Sequence, residues 1–291
     1  MSQGSANDII LTGLPRSGTT LCCRLLNSLP DAVALHEPMH AASLSKLSQR
    51  KAMLSEIEAF FAATRRRIAS EGWVPSKALD GVIPDNQFSD QRDPGTGKRL
   101  RHQKLSNAGI RVDKPLGDDH ALVIKQPAIF TALIETLAPR FPVYAVIRNP
   151  VAVLGSWNSL DISLSRGRLP PAESLCPELA ESLNGMGNAL ERQVFLLNWF
   201  FEQYDHHLPR SSIIYYERVV ASGGAELGRM IPSAGTLAQE LQNKNDNPLY
   251  DHGRKKHWTD ALLAADGACW RFYSKDSGRP FENNQKRGSA V

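Results

Sequence analysis

The chain has 291 residues, 34 Lys plus Arg against 30 Asp plus Glu, and a formal net charge of +4. With 42% hydrophobic and 22% charged residues it has a globular composition, which excludes disordered, collagen-like and low-complexity classes for its bulk. No apolar run approaches the ~18 residues of a membrane-spanning helix, the polar N-terminus does not read as a secretory signal, four cysteines are too few for a disulfide scaffold, and the mild basicity is too small to argue for nucleic acid.

A reduced, cytoplasmic setting is therefore expected. Ile9 to Leu11 form a short apolar run, followed by a Gly-containing turn and a helical pattern through Leu21, Leu25 and Leu26. Ala32 to Leu35 read as a second strand ending at His36-Glu37-Pro38. Residues 43–70 read as a helix, with Leu47, Leu54, Ile57, Phe61 and Ile68 on one face. Residues 75–120 lose apolar periodicity and gain Gly, Pro, Asp and Asn. Between Arg92 and Lys114 seven Lys or Arg stand against Asp93 and Asp113. This is a basic loop insertion, either a lid or a solvated surface loop.

Leu122 to Ile124 form a third strand ending at Lys125, and Pro127 opens a helix. Val143 to Ile147 form a fourth, ending at Arg148, and Pro150 opens another helix. Leu190, Val194, Leu197, Phe201, Tyr204 and Leu208 mark an amphipathic helix. Ile213 to Tyr216 form a fifth strand, a helical stretch runs near Thr259 to Phe272, and residues 279–291 read as a flexible tail. Strands alternating with helices, without internal repeats, predict one α/β domain over 1–291 with a central, mostly parallel sheet flanked by helices. Ligands of such sheets bind beyond the C-terminal strand ends, where Gly13–Thr20, Glu37, Lys125 and Arg148 should converge.

Gly13-Leu14-Pro15-Arg16-Ser17-Gly18-Thr19-Thr20 lies between the first strand and the first helix. Such a loop points N–H groups inward and adds the positive end of the helix dipole, forming an anion cradle. The spacing approaches a P-loop, but Thr19 stands where a P-loop has Lys, and the cation is Arg16. The strand ends carry Lys125 and Arg148 rather than an Asp for Mg²⁺. Cys22-Cys23 and His206-His207 lack zinc spacing, so no metal site is expected.

Pro15-Arg16-Ser17-Gly18-Thr19-Thr20 resembles the 5′-phosphosulfate loop of sulfotransferases that use 3′-phosphoadenosine 5′-phosphosulfate (PAPS). Arg148-Asn149-Pro150 with Ser156 resembles their 3′-phosphate motif, and Tyr216-Glu217 more loosely resembles a Tyr-Glu pair after a later strand. The resemblance covers about residues 8–160 and implies the P-loop NTPase-like sulfotransferase fold. It implies sulfuryl transfer from PAPS to an acceptor hydroxyl or amine, releasing PAP, with no metal required. The loop residues Pro15, Arg16, Ser17, Gly18, Thr19 and Thr20, with Arg148 and Ser156, would bind the donor. Glu37 is similar in placement to the catalytic Glu of tyrosylprotein sulfotransferases and is the candidate base, with His36 second. Strand alternation should let only one of the two face the site.

Arg16 would contact the bridging oxygen, and Lys125 resembles a Lys-x-Pro segment of that branch and would stabilise the transition state. Arg254-Lys255-Lys256 either closes over the 3′-phosphate or is a solvated charge run. Trp157 and Trp258 either stack on adenine or pack in the core. The acceptor stays open among small molecule, carbohydrate and peptide. A P-loop kinase using ATP and Mg²⁺ and a non-catalytic nucleotide-binding module are the alternatives.

Overall fold

A computed structural model describes residues 6–102, 105–107, 109–276 and 278–280. Lys104 of the basic insertion and residues 281–291 of the expected tail lie outside the described residues.

The core is a five-stranded, all-parallel sheet of β1 (Asp8–Gly13), β2 (Ala32–His36), β3 (Ala121–Lys125), β4 (Val143–Ile147) and β5 (Ile213–Tyr215), in the spatial order β5-β4-β1-β3-β2. β1 and β3 are buried throughout, as a parallel sheet covered on both faces requires. Helices α1 (Thr19–Asn27), α2 (Arg50–Glu71), α3 (Pro127–Ala132), α4 (Pro150–Asn158) and α5 (Ala189–His207) follow the strands. Pro127 and Pro150 sit in the first turns of their helices, where a missing N–H breaks no bond.

Each strand C-terminus opens on the same edge, so the sequence-predicted α/β architecture stands. Three local expectations change. The helix expected over 43–70 is a short turn, Ala41–Leu44, followed by a separate helix, Arg50–Glu71. The stretch near Thr259 to Phe272 is α6 (Lys255–Ala265), which stops at Asp266 in a left-handed conformation, and then a 3₁₀ turn, Ala268–Arg271. The fifth strand stops at Tyr215, because Tyr216 already begins a helix, Tyr216–Ala221.

The basic insertion is not an irregular loop. It folds back on itself as nested antiparallel pairs: Trp73–Val74 with Ile110–Arg111, Ala78–Leu79 with Leu105–Ser106, and Phe88–Arg92 with Arg99–Arg101. Pairs of two to five residues are too short to show alternation, so the periodicity signal is missing although the ladder exists. Its cations anchor it to the body. Lys114 Nζ donates to the Asn27 and Leu29 carbonyls at 2.7 and 2.6 Å, at the end of α1, and Lys98 Nζ donates to the Asn158 carbonyl at the end of α4. Both lysines therefore satisfy orphan carbonyls at the negative end of a helix dipole. Arg92 Nη2 reaches the Leu249 carbonyl at 2.8 Å, and Arg99 pairs with Asp90 at 2.7 Å.

Candidate active site

The loop after β1 is shaped by two glycines. Gly13 has φ +146°, and a Cβ there would meet the Val146 carbonyl of β4. Gly18, with φ +94°, precedes α1, and a Cβ would fall 2.6 Å from the Tyr216 ring. Any other residue would strain the backbone or displace the ring. Ser17 Oγ donates to the Val146 carbonyl at 2.7 Å, and the Ser17 N–H closes on the Leu14 carbonyl at 3.0 Å. Ser17 is thus a tether of the loop, and these two donors, expected for an anion, face inward. Trp157 Nε1 donates to the Pro15 carbonyl at 2.9 Å and is buried, so Trp157 supports the loop. Thr19 and Thr20 form the first turn of α1, whose N–H groups lack intrahelical partners by geometry.

Arg16, at φ +75°, carries its guanidinium outward over the cavity. Its Nη2 donates to Asn86 Oδ1 at 2.9 Å, its Nε lies 3.3 Å from Ser156 Oγ, and it stacks 5.0 Å from the Phe88 ring centroid. Asn86 and Phe88 belong to the insertion and were not legible as site residues in a segment without periodicity.

Arg148, buried at the end of β4, donates through Nη1 to the Arg16 carbonyl at 3.0 Å and lies over the Tyr216 ring at 4.5 Å. Its other donors are taken by a later segment: the Lys244 carbonyl, Asn245 Oδ1 at 2.8 Å and Tyr250 Oη at 3.2 Å. Arg148 and Ser156 thus both touch Arg16, the first at its carbonyl and the second at its Nε, but Ser156 is fully buried and does not line the cavity. Glu217 organises the surroundings. Its Oε1 accepts from the Asn149 N–H at 2.8 Å and from Asn245 Nδ2 at 2.9 Å.

Glu37 follows β2 with φ +46°, a strained position for a residue with a Cβ. The strand alternation therefore stops at His36. The two side chains touch, with His36 Nε2 3.6 Å from Glu37 Oε1, yet only Glu37 lines the cavity and His36 is fully buried. Lys125 Nζ donates to Glu37 Oε1 at 2.6 Å, and Lys77 Nζ donates to Oε2 at 2.5 Å. Lys125 also lies 3.4 Å from Thr20 Oγ1, which links this triad to the loop.

Burial works to raise the Glu37 pKa, but Lys125, His36 and Lys77 together hold it well below the ordinary carboxylate range. Burial, aided by Lys125, pushes His36 down to about 4, so the ring is neutral at pH 7. Burial also lowers Lys125, against the pull of Glu37.

These residues line one cavity of about 1020 Å³. Pro15, Arg16, Gly18–Thr20, Glu37, Lys125 and Arg148 share it, together with Lys77, Asn86 and Phe88 of the insertion. Met39, Ala128, Ile129 and Leu169 give it an apolar wall. Lys255 and Lys256 instead pair with Asp246 and Asp260 on the surface at 2.7 and 2.6 Å, as a solvated charge run does. Trp258 is buried beside Gly155. Cys22 and Cys23 are buried thiols pushed to about 12. No helix among the described residues is long and apolar enough to cross a membrane.

Fold and site together define a parallel α/β protein with a glycine-shaped loop after its first strand and two lysines on one carboxylate. No family model matches the chain. Nodulation protein NoeE of Sinorhizobium fredii (strain NBRC 101917 / NGR234) is 26% identical over 237 residues, which cover 77% of this chain and 49% of that protein. The chain spans about half the length of the curated relative it matches. Among solved structures it is similar to a sulfotransferase from Alicyclobacillus acidocaldarius, at 14% identity, 88% of this chain, 91% of that one and a TM-score of 0.41. The sulfotransferase domain from the curacin biosynthetic pathway follows at 13% identity, 84% and 80% coverage and a TM-score of 0.40. The sulfotransferase domain from the Synechococcus PCC 7002 olefin synthase stands at 14%, 86% and 82%, and 0.35.

Proposed function

We propose that the chain is a sulfotransferase that moves a sulfuryl group from PAPS to an acceptor hydroxyl or amine and releases PAP. The observation that carries this reading is the meeting of the β1–α1 loop, Arg16, Lys125, Arg148 and Glu37 around one cavity at the C-terminal sheet edge.

The roles follow from position. The first-turn N–H groups of α1 and the Arg16 guanidinium receive the 5′-phosphosulfate. Arg148 and Ser156 receive the 3′-phosphate. In-line transfer needs mainly positioning and charge stabilisation. As the acceptor oxygen bonds to sulfur, the bond from sulfur to the 5′-phosphate oxygen breaks, and charge grows on that oxygen beside Arg16. Lys125, adjacent to Thr20, stabilises charge on the sulfuryl group. Glu37 takes the acceptor's proton. No step calls for a metal.

A kinase reading is disfavoured by Thr19 at the P-loop lysine position and by Lys125 and Arg148 at the strand ends. Isothermal titration separates the readings. PAP should bind in the presence of EDTA. Binding of ATP with Mg²⁺, with none for PAP, would refute the sulfotransferase. Glu37→Gln should lower turnover by about 10²–10⁴-fold while PAP affinity stays; unchanged turnover removes Glu37 as base and, if no transfer occurs in either protein, leaves a binding module.

A further inference from the structure

Lys77 has no place in the sequence motifs, yet it is built into the site. The insertion is clamped to the end of β2 at this point: the His36 N–H donates to Ser76 Oγ at 3.0 Å, and the Lys77 N–H donates to the His36 carbonyl at 2.8 Å. Ser76 is buried, and its carbonyl accepts from the Gly109 N–H at 3.0 Å across the insertion. The clamp delivers the Lys77 ammonium to Glu37 Oε2, while Lys125 holds Oε1. The two ammoniums differ in freedom. Both line the cavity, but Lys125 is only 2% exposed, whereas Lys77 is 25% exposed.

Both oxygens of the carboxylate are thus held by cations. A base in that state is a poor one, because each ammonium favours the ionised form. Transfer requires one oxygen to be released, and only Lys77 can swing clear.

We propose that Lys77 is a positioning residue for Glu37: it holds Oε2 of the carboxylate in an ion pair, and it must leave that oxygen before the acceptor's proton is taken. This rests on the reading of Glu37 as the base. The proton goes from the acceptor to Glu37 Oε2 as the acceptor–sulfur bond forms and the sulfur–oxygen bond to the 5′-phosphate breaks; PAP carries the negative charge away. The insertion that presents Asn86 and Phe88 to the cavity also presents Lys77, so an acceptor seated against it acts directly on the base.

The charged and titratable groups facing Glu37 are Lys125 from β3, His36 from β2 and Lys77 from the insertion. Behind Lys125 stand the thiols of Cys22 and Cys23 on α1, held neutral by burial.

The test uses the full chain with glutamate labelled at ¹³Cδ, the Glu37 resonance being assigned by its loss in Glu37→Gln. Lys77→Gln should raise the pH at which that resonance titrates by about one unit or more. Lys77→Arg should keep it near wild type. In turnover, the acid limb of kcat/KM should move up with the resonance while PAP affinity, read by titration, is unchanged. A Lys77→Gln titration that superposes on wild type overturns the proposal outright. A resonance that moves while the acid limb of a working enzyme does not also overturns it, and traces the failure to Glu37 as base. Absence of both PAP binding and transfer in wild type fails the sulfotransferase reading instead.

Discussion

Glu37→Gln is expected to destabilise the protein more than Lys125→Met, although the two residues form one ion pair. Lys125 is a buried ammonium, 2.6 Å from Glu37 Oε1 and 3.4 Å from Thr20 Oγ1. Neutralising Glu37 strands that ammonium with an amide and a hydroxyl. Glu37, by contrast, is 19% exposed and keeps Lys77 at 2.5 Å when Lys125 is gone. Unit charges at this separation attract by about 6 kcal/mol at an effective dielectric near 20, much of it offset by desolvating both groups. Stranding one member of a buried pair costs ~3–5 kcal/mol, while a carboxylate that keeps a cation and some solvent loses nearer ~1 kcal/mol. The expectation is therefore about 3 kcal/mol for Glu37→Gln, the remaining amide contact taking the low end of the range, and about 1 kcal/mol for Lys125→Met.

Urea unfolding at pH 7 with a constant m-value measures both. The Glu37→Gln deficit should shrink as pH rises. Without Glu37, burial depresses the folded-state pKa of Lys125 below its unfolded value, so the unfolded chain binds the extra proton and stability rises with pH. Equal costs below about 0.5 kcal/mol, or a larger cost for Lys125→Met, would refute the asymmetry and the dependence of the buried ammonium on this carboxylate.

His36 is buried with its pKa lowered from 6.5 to about 4. The unfolded state therefore binds one more proton between these values, and about 3 kcal/mol of stability should be lost as pH falls from 6.5 to 4; His36→Leu should flatten that part of a urea-midpoint series, and parallel curves would contradict it. Gly18→Ala should cost about 1–3 kcal/mol, because it combines positive φ with a clash on Tyr216, and should weaken PAP binding with it; an unchanged Tm and affinity would show that the ring yields freely. Arg148→Ala should weaken PAP by about 10–100-fold and leave AMP, which lacks the 3′-phosphate, much less affected; equal losses for both ligands would move Arg148 away from the 3′-phosphate.

The strand ends were legible because their signals are local. An apolar run followed by a lone polar residue marks where a buried strand emerges, and this placed Glu37, Lys125 and Arg148 on one edge. The loop was legible because Gly13 and Gly18 meet requirements set by Val146 and Tyr216, residues over 130 positions away that only had to exist. Lys77, Asn86 and Phe88 were not legible. They reach the site through a nested hairpin whose rungs are two to five residues long, and the ties that fix it run from side chains to distant carbonyls such as Asn27 and Asn158. Such ties leave no spacing in the sequence. The tether made by Ser17 was not legible for a related reason, since its hydroxyl faces β4, a neighbour fixed by strand order.

The distribution of charge partners explains where an anion is drawn. Between Arg92 and Lys114 seven Lys or Arg against two Asp carry more positive charge than the whole chain's net +4, but Lys98 and Lys114 lie on helix-end carbonyls whose partial negative charge offsets them in part. Lys77 and Lys125 share one carboxylate, which leaves that group with a single net positive charge. Arg148 differs. Its partners among the described residues are carbonyls, an amide, a phenol and an aromatic face, none of them a full negative charge. Neutral acceptors satisfy the N–H groups of a buried guanidinium without cancelling its field. The potential of Arg148 therefore stands beside the loop, where a multiply charged nucleotide would gain most. To bind there, a phosphate must take over donors now held by Lys244, Asn245 and Tyr250. That exchange keeps the number of hydrogen bonds and adds a full anionic charge, so it is driven by Coulomb attraction rather than by new contacts.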